Sequence, residues 1–353
     1  MKKFIALLLA VCMLLTLCAC GPKEQTTPDN NDNQEANNND DFHITLKLSH
    51  VFAATEQLTI EMEQVAQRIL EKTNGAVEIQ TYGGSQLAVY KDNIQQVVDG
   101  ANWIAAEDPS YLADYNIDYE ALIAPMLYSS LEEYSYVCHS DLVQAMNQKL
   151  EEEHGIHVLA LDFNLGFRSM QTNKVITTPA DMKGMKIRVP NSSMYMNCLS
   201  AMGAIPTAMP FGETISAVQQ SVVDGLEGNV NAYSTNGSAE VAKQMSFTNH
   251  LIGTCGAYIN VDVWNSIPEE YRNIIAEEFA YGAQEITDFT NDSLADTMKM
   301  LEEEQGCHFN EVDVDAFREV MQVEYERMVA EDGVTEGFIG QLQDLVAEYN
   351  ANK

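Results

Sequence analysis

Arg168 and Arg188 stand twenty positions apart in a chain of formal charge -34, where 19 Lys and Arg face 53 Asp and Glu. Arg168 follows Gly166-Phe167, and Arg188 lies in Lys186-Ile187-Arg188-Val189-Pro190. Both segments are short, apolar and bounded by Gly or Pro, a pattern that reads as strand. Other arginines, such as Arg272 and Arg318, sit among polar and acidic neighbours on predicted helix surfaces. A cation in an apolar strand is costly to bury alone. A carboxylate suits it, because guanidinium can hold one through two parallel hydrogen bonds. Spacing alone leaves open whether that carboxylate belongs to a ligand or to the chain. Asp181, Glu213 and Glu227 are the internal candidates for an ion pair with Arg188.

No catalytic set accompanies the arginines. GxSxG, the P-loop, GxGxxG and HExxH are all missing from the sequence, so an enzyme is not expected. His154 and His157 are three apart, but Gly155 interrupts the helix that would align them beside the acidic run Glu151 to Glu153. Cys138, Cys198, Cys255 and Cys307 are widely spaced with no CxxC. Zinc needs clustered ligands, so neither a metal nor another cofactor is expected. The four cysteines fit buried thiols and fit one or two extracellular disulfides. The strong acidity argues against nucleic acid, whose phosphates require a basic face.

The elements that must hold the arginines can be read in order. His43 to His50 alternates as a strand, Thr55 to Thr73 is an amphipathic helix, and Ala76 to Tyr82 is a second strand. Tyr90 to Asp99 is a helix stopped by Gly100, and Asn102 to Ala106 a third strand. The pattern restarts with strands at Ile156 to Asn164, Phe167 to Asn173 and Lys186 to Pro190, and helices at Tyr195 to Met202 and from Phe211 to Val222. Ala257 to Val261 returns as a strand. This alternation predicts an α/β fold of two lobes, each on a mostly parallel sheet, with a cleft between them. Pro268 to Gln305 reads as one very long helix or two in series, followed by helices at Asp313 to Ala330 and Thr335 to Tyr349.

The beginning of the chain is not expected to join that fold. Lys2 and Lys3 precede an apolar run from Phe4 to Leu17, too short for a span and typical of a signal peptide over 1–19. Leu17-Cys18-Ala19-Cys20 resembles a bacterial lipobox, which predicts lipidation at Cys20. Residues 20–41, rich in Asn, Asp, Thr and Gln, then form a tether with too little apolar surface to offset its ordering entropy. The expected location is extracytoplasmic, anchored to the outer face of the membrane by the lipid.

From about residue 43 onward the chain resembles the solute receptors of TRAP transporters, the DctP family of tripartite ATP-independent carboxylate importers. The resemblance runs through Thr178-Pro179-Ala180-Asp181-Met182-Lys183-Gly184-Met185-Lys186-Ile187-Arg188-Val189-Pro190, then Met202 to Met209, Glu213 to Gln220 and Val223-Asp224-Gly225. Glu71 to Gly75, Gly84 to Leu87, Phe247 to His250 and Trp264 to Pro268 fit as well. It implies a clamshell like that of periplasmic binding proteins, with a long helix bracing both lobes. The boundaries expected are 42–165 with 254–293 for the first lobe, and 166–253 with 294–350 for the second. It also implies a small organic carboxylate as ligand and TRAP permease subunits as partners. A sensor that reports to a signalling partner and an ABC-type receptor are the alternatives within the same shape.

By position, the resemblance makes Arg188 the carboxylate clamp, Arg168 a second basic residue in the cleft, Phe211 an aromatic wall and Asn191 a polar neighbour. The family often has Asp-Gly-Gln-Glu-Asn where this chain has Asp224-Gly225-Leu226-Glu227-Gly228-Asn229. Gly228 therefore replaces an Asn, and Asn229, a backbone N–H or another side chain must supply its contact. Glu227, Asn231, Tyr233, Glu56, Asn164 and Glu107, with Phe52 and Asp108, lie at predicted strand or loop ends, where α/β folds bind ligands.

Overall fold

The computed structural model describes residues 42–353; the signal expected at 1–19, the tether expected at 20–41 and Cys20 lie outside the described residues. The strands are β1 (Ile44–Ser49), β2 (Val77–Tyr82), β3 (Trp103–Glu107), β4 (Ile156–Thr172), β5 (Lys186–Val189), β6 (Ile205–Ala208), β7 (Gly225–Gly228), β8 (Gln244–Asn260) and β9 (His308–Glu311). They form one sheet in the order β2-β1-β3-β8-β4-β7-β5-β6, with β9 on β8. Two lobes thus share one sheet.

The parallel pattern holds at the flanks, in β1 with β2 and β3 and in β5 with β6 and β7. The middle is antiparallel, through β3 with β8, β4 with β8 and β4 with β7. The strands predicted at Ile156 to Asn164 and Phe167 to Asn173 are one 17-residue strand, and the one at Ala257 to Val261 is the end of another. Gly166 and Gly253 pair with each other where both long strands pass from one half to the other. A Cβ on Gly253 would lie 2.7 Å from the Gly166 carbonyl, so the two backbones need this glycine to approach.

The long helix is a single one, Glu269–Gln305. Ile275, Phe279, Gly282, Ala283 and Ile286 recur at helical spacing and are buried on one face. A Cβ on Gly282 would lie 2.5 Å from Val65 Cγ2, so this glycine sets how closely helix Gln57–Lys72 can pack. Further along, Thr290 Oγ1 donates to the Asn164 carbonyl (2.9 Å), and Leu301 joins Val230 and Tyr233 in a small core under the other half. The last helix, Phe338–Ala351, does not stay with the second half as the boundary 294–350 implied. It packs on helices Asp118–Leu122 and Leu131–Cys138, where Asn350 donates to Glu133 (2.8 Å). The four described cysteines are free and buried. No described helix is long and apolar enough to cross a membrane.

Candidate functional site

Strand ends from both halves meet around a cleft with about 780 Å³ of atom-free space, counting its open mouth. From one half come Phe52, Glu56, Tyr90, Glu107, Asp108 and Tyr111; from the other come Arg168, Gln171, Arg188, Tyr195, Phe211 and Glu227. A concave space lined by groups from both halves suits a small molecule.

The two arginines are held differently. Arg168, on β4, is paired in bidentate fashion with Glu227 on β7: Nη2 donates to Oε1 at 2.6 Å and Nε to Oε2 more closely still. Its guanidinium lies over the Tyr195 ring at 4.9 Å. Burial alone would raise the Glu227 carboxyl, but the Arg168 charge and a contact from His250 hold it at about 2. Burial works against the Arg168 cation too, and Glu227 more than compensates, so its pKa rises. This settles one of the alternatives left by spacing, because Glu227 is occupied by Arg168.

Arg188, on β5, is 3% exposed and has no carboxylate within ion-pair distance among the described residues. Nε and Nη2 both donate to the Met209 carbonyl, at 3.2 and 2.9 Å, and the group lies 5.3 Å from the Phe211 ring centroid. Of its other internal candidates, Asp181 is exposed and accepts from the backbone N–H groups of Thr177 and Thr178. Burial lowers the Arg188 pKa. One carbonyl anchors the inner edge of the guanidinium and leaves Nη1 for a guest. An anion entering the cleft would supply the missing charge.

The opposite wall is acidic and largely desolvated. Glu107 Oε1 accepts from Tyr90 N–H (2.6 Å) and Asn93 Nδ2 (2.8 Å); burial nonetheless pushes this carboxyl up to about 8. Glu56 accepts from Ala53 N–H (2.6 Å), and burial pushes it up to about 7. Asp108 accepts from Tyr195 O–H (2.6 Å), and Tyr90 Oη accepts from Phe211 N–H (3.2 Å), so these two bonds join the walls. Tyr90 adopts φ 59° and ψ -136°, a strained backbone for a non-glycine residue that aims its N–H at Glu107.

Both glutamate shifts are upward from 4.5, so the folded protein keeps protons that the unfolded chain releases. The associated stability is present in full below about 4.5 and drains as pH rises towards 7 and 8. Ligand-free protein should therefore melt at a lower temperature at about pH 8 than at about pH 5, and Glu107→Gln should remove part of that fall. Thermal unfolding by circular dichroism checks this, and a melting temperature that is flat or rising over the interval would refute it.

Of the residues expected at the site, Arg188, Arg168, Phe211, Glu227, Asn229, Glu56 and Glu107 line the cleft, as do Phe52 and Asp108. Four do not. Tyr233 is fully buried, its hydroxyl donating to the Ala242 carbonyl. Asn231 bonds Ser293 (3.3 Å) and faces neighbouring grooves. Asn164 is buried and donates to Ser135 Oγ (2.9 Å). Asn191 is exposed on the turn after β5. Tyr90, Tyr111, Gln171 and Tyr195 line the cleft and were not foreseen. Gln171 escapes simple alternation because a register shift between Arg168 and Met170 intervenes. His157 bonds Glu151 (2.6 Å) and stacks on Trp264, and no group of three possible metal ligands occurs among the described residues.

Comparison with known proteins completes the picture. A family model described as bacterial extracellular solute-binding protein, family 7 (DctP), matches residues 48–332. A TRAP periplasmic solute-binding protein from Desulfovibrio salexigens, solved in complex with diglycerolphosphate, is 46% identical with a TM-score of 0.85, over 88% of this chain and 99% of its own. Another, from Fusobacterium nucleatum with bound sn-glycerol-3-phosphate, is 35% identical with a TM-score of 0.84, over 87% of this chain and 98% of its own. The C4-dicarboxylate-binding periplasmic protein DctP of Rhodobacter capsulatus is 29% identical over 70% of this chain and 73% of its own. A family match across the shared sheet and cleft, with structural relatives that align almost end to end, makes this chain a member of the bacterial extracellular solute-binding proteins of family 7, the DctP receptors of TRAP transporters.

Proposed function

We propose that the protein captures a small organic acid between its two lobes and delivers it to the membrane subunits of a TRAP-type transporter. The observation that carries this is the buried Arg188, which lines the cleft and has no carboxylate within ion-pair distance among the described residues. Arg188 holds the anionic group of the solute, Phe211 packs beside it, and the Arg168–Glu227 pair fixes the floor. Closure follows only if the solute binds the closed form more tightly than the open one, and contacts from both walls supply that difference. The lobes divide at Gly166 and Gly253, with the terminal helix crossing back to the first. Cys20 carries the lipid, after removal of 1–19, and 20–41 is the spacer to the membrane.

The relative named for C4-dicarboxylate binding favours a carboxylate head group. A second reading, a phosphate ester of glycerol, is favoured by the relatives at 46% and 35% identity and the esters bound to them. Calorimetric titration with mono- and dicarboxylates, sugar acids and glycerol phosphates tests the receptor role. We expect one class to bind with release of unchanged solute on unfolding. Binding of none, or turnover of the bound acid, would end the proposal. For the anchor, radiolabelled palmitate should enter the wild-type chain in cells and not Cys20→Ala; equal labelling would refute lipidation at that position.

A further inference from the structure

Gln171 is 1% exposed, lines the same cleft as Arg188, and has no hydrogen-bond partner on either Nε2 or Oε1 among the described residues. An unpartnered buried amide is costly, at about 1–3 kcal/mol for each unmade bond. Gly228 is what admits it: a Cβ at that position would lie 3.0 Å from Gln171 Nε2. The residue that departs from the family pattern and the orphaned amide are therefore one feature. Gly228 vacates a place, and Gln171 fills it from the next strand.

The amide needs both an acceptor and a donor. A carboxylate oxygen or a fully ionised phosphate oxygen only accepts, so it satisfies Nε2 and leaves Oε1 bare. A hydroxyl does both. The wall from the other half of the sheet makes the same demand. Glu56, Glu107 and Asp108 all line the cleft, and Glu107 uses only Oε1 in its bonds to Tyr90 and Asn93. Tyr111 Oη is also buried without a partner among the described residues. A second anionic group on the solute would have to be desolvated against a wall of Glu56, Glu107 and Asp108, which offers it no cation as a partner. A hydroxyl donates to a carboxylate or accepts from a carboxylic acid, so it fits either protonation state.

Resting on the receptor reading above, we propose that Gln171, given room by Gly228, and Glu107 across the cleft read hydroxyl groups on the body of the solute. The receptor then takes polyhydroxylated anions with a single charged head and rejects dicarboxylates. Arg188 supplies affinity for the head, while Gln171 and Glu107 choose among molecules that share it.

Calorimetry with the full chain tests this on pairs: sn-glycerol 3-phosphate against n-propyl phosphate, and L-galactonate against adipate. In the pair whose head group the receptor takes, the hydroxylated member should bind more tightly by on the order of 10²-fold, as expected where a buried polar group is left unmatched. Gln171→Leu should collapse that ratio by weakening the hydroxylated member alone. Gly228→Ala, which pushes on the Gln171 amide, should do the same in smaller degree. Melting curves without ligand check that both variants fold. Wild-type protein that binds n-propyl phosphate or adipate within about threefold of its counterpart overturns the inference and leaves the receptor role standing. So does Gln171→Leu if it weakens both members equally, the result of a purely structural role. Wild-type protein that binds none of the wider panel of organic acids overturns the receptor reading and this inference together.

Discussion

Arg188→Lys should lower affinity for the solute by on the order of 10²-fold, although the charge is kept. The guanidinium uses Nε and Nη2 on one backbone carbonyl, that of Met209, and still has Nη1 for the solute. An ammonium on a flexible stem cannot divide its donors that way across a planar fork. Charge-assisted hydrogen bonds contribute about 1.5–3 kcal/mol each, and the factor above is one or two of them. Arg188→Met should go further and abolish binding. Its effect on the ligand-free protein should have the opposite sign. Arg188 is buried with no carboxylate in ion-pair range among the described residues, so without solute the fold bears the desolvation of a cation that lacks a counterion. Removing it should leave the melting temperature unchanged or raised. Calorimetry and thermal unfolding on the same variants make the comparison. Loss of stability with retained affinity would show that Arg188 is a structural residue and sink its role as the clamp.

The contrast between the two arginines also shows where reading the chain reaches its limit. Arg188 was legible because its strand motif is local and its neighbours in sequence are its neighbours in β5. The partner of Arg168 is Glu227, 59 positions away, and only the pairing of β4 with β7 brings them together. The long strands Ile156–Thr172 and Gln244–Asn260 are longer than the segments their sequence predicts. In the fold Gly166 and Gly253 are the crossing itself, each opposite the other. The stretch that reads as one very long helix or two in series is the single helix Glu269–Gln305. Tyr233 looked like a loop residue, but Asn229 caps a helix by accepting from Ala232 N–H (2.8 Å), and the turn that follows rotates Tyr233 into the core. Gln171 lay beyond a register shift that no alternation reveals. What the sequence could not supply, in each case, was a long-range pairing or a change of phase. Pairing partners far apart in the chain and strand irregularities are set by the whole sheet rather than by adjacent residues.

The same Arg168–Glu227 pair carries the largest expected effect on stability. Glu227→Gln should cost about 3–5 kcal/mol at neutral pH, because it leaves a largely buried cation without its counterion. The size is consistent with the titration of the carboxyl, held at about 2 against an ordinary 4.5, which corresponds to about 3 kcal/mol. A depressed pKa fixes the direction. The stabilisation is complete above about 4.5, where both folded and unfolded forms are ionised, and is lost as pH falls towards 2 and the folded carboxyl takes up its proton. Urea unfolding of wild type and Glu227→Gln should therefore differ most at about pH 5–7 and converge at the acid end. Pairing the variant with Arg168→Met should recover much of the loss, since removing both charges leaves neither unpaired. That recovery separates a charge effect from simple misfitting of the glutamine. A cost below about 1 kcal/mol, or a difference that persists unchanged down to about pH 2, would mean that the pair is screened by solvent and does not fix the floor of the cleft.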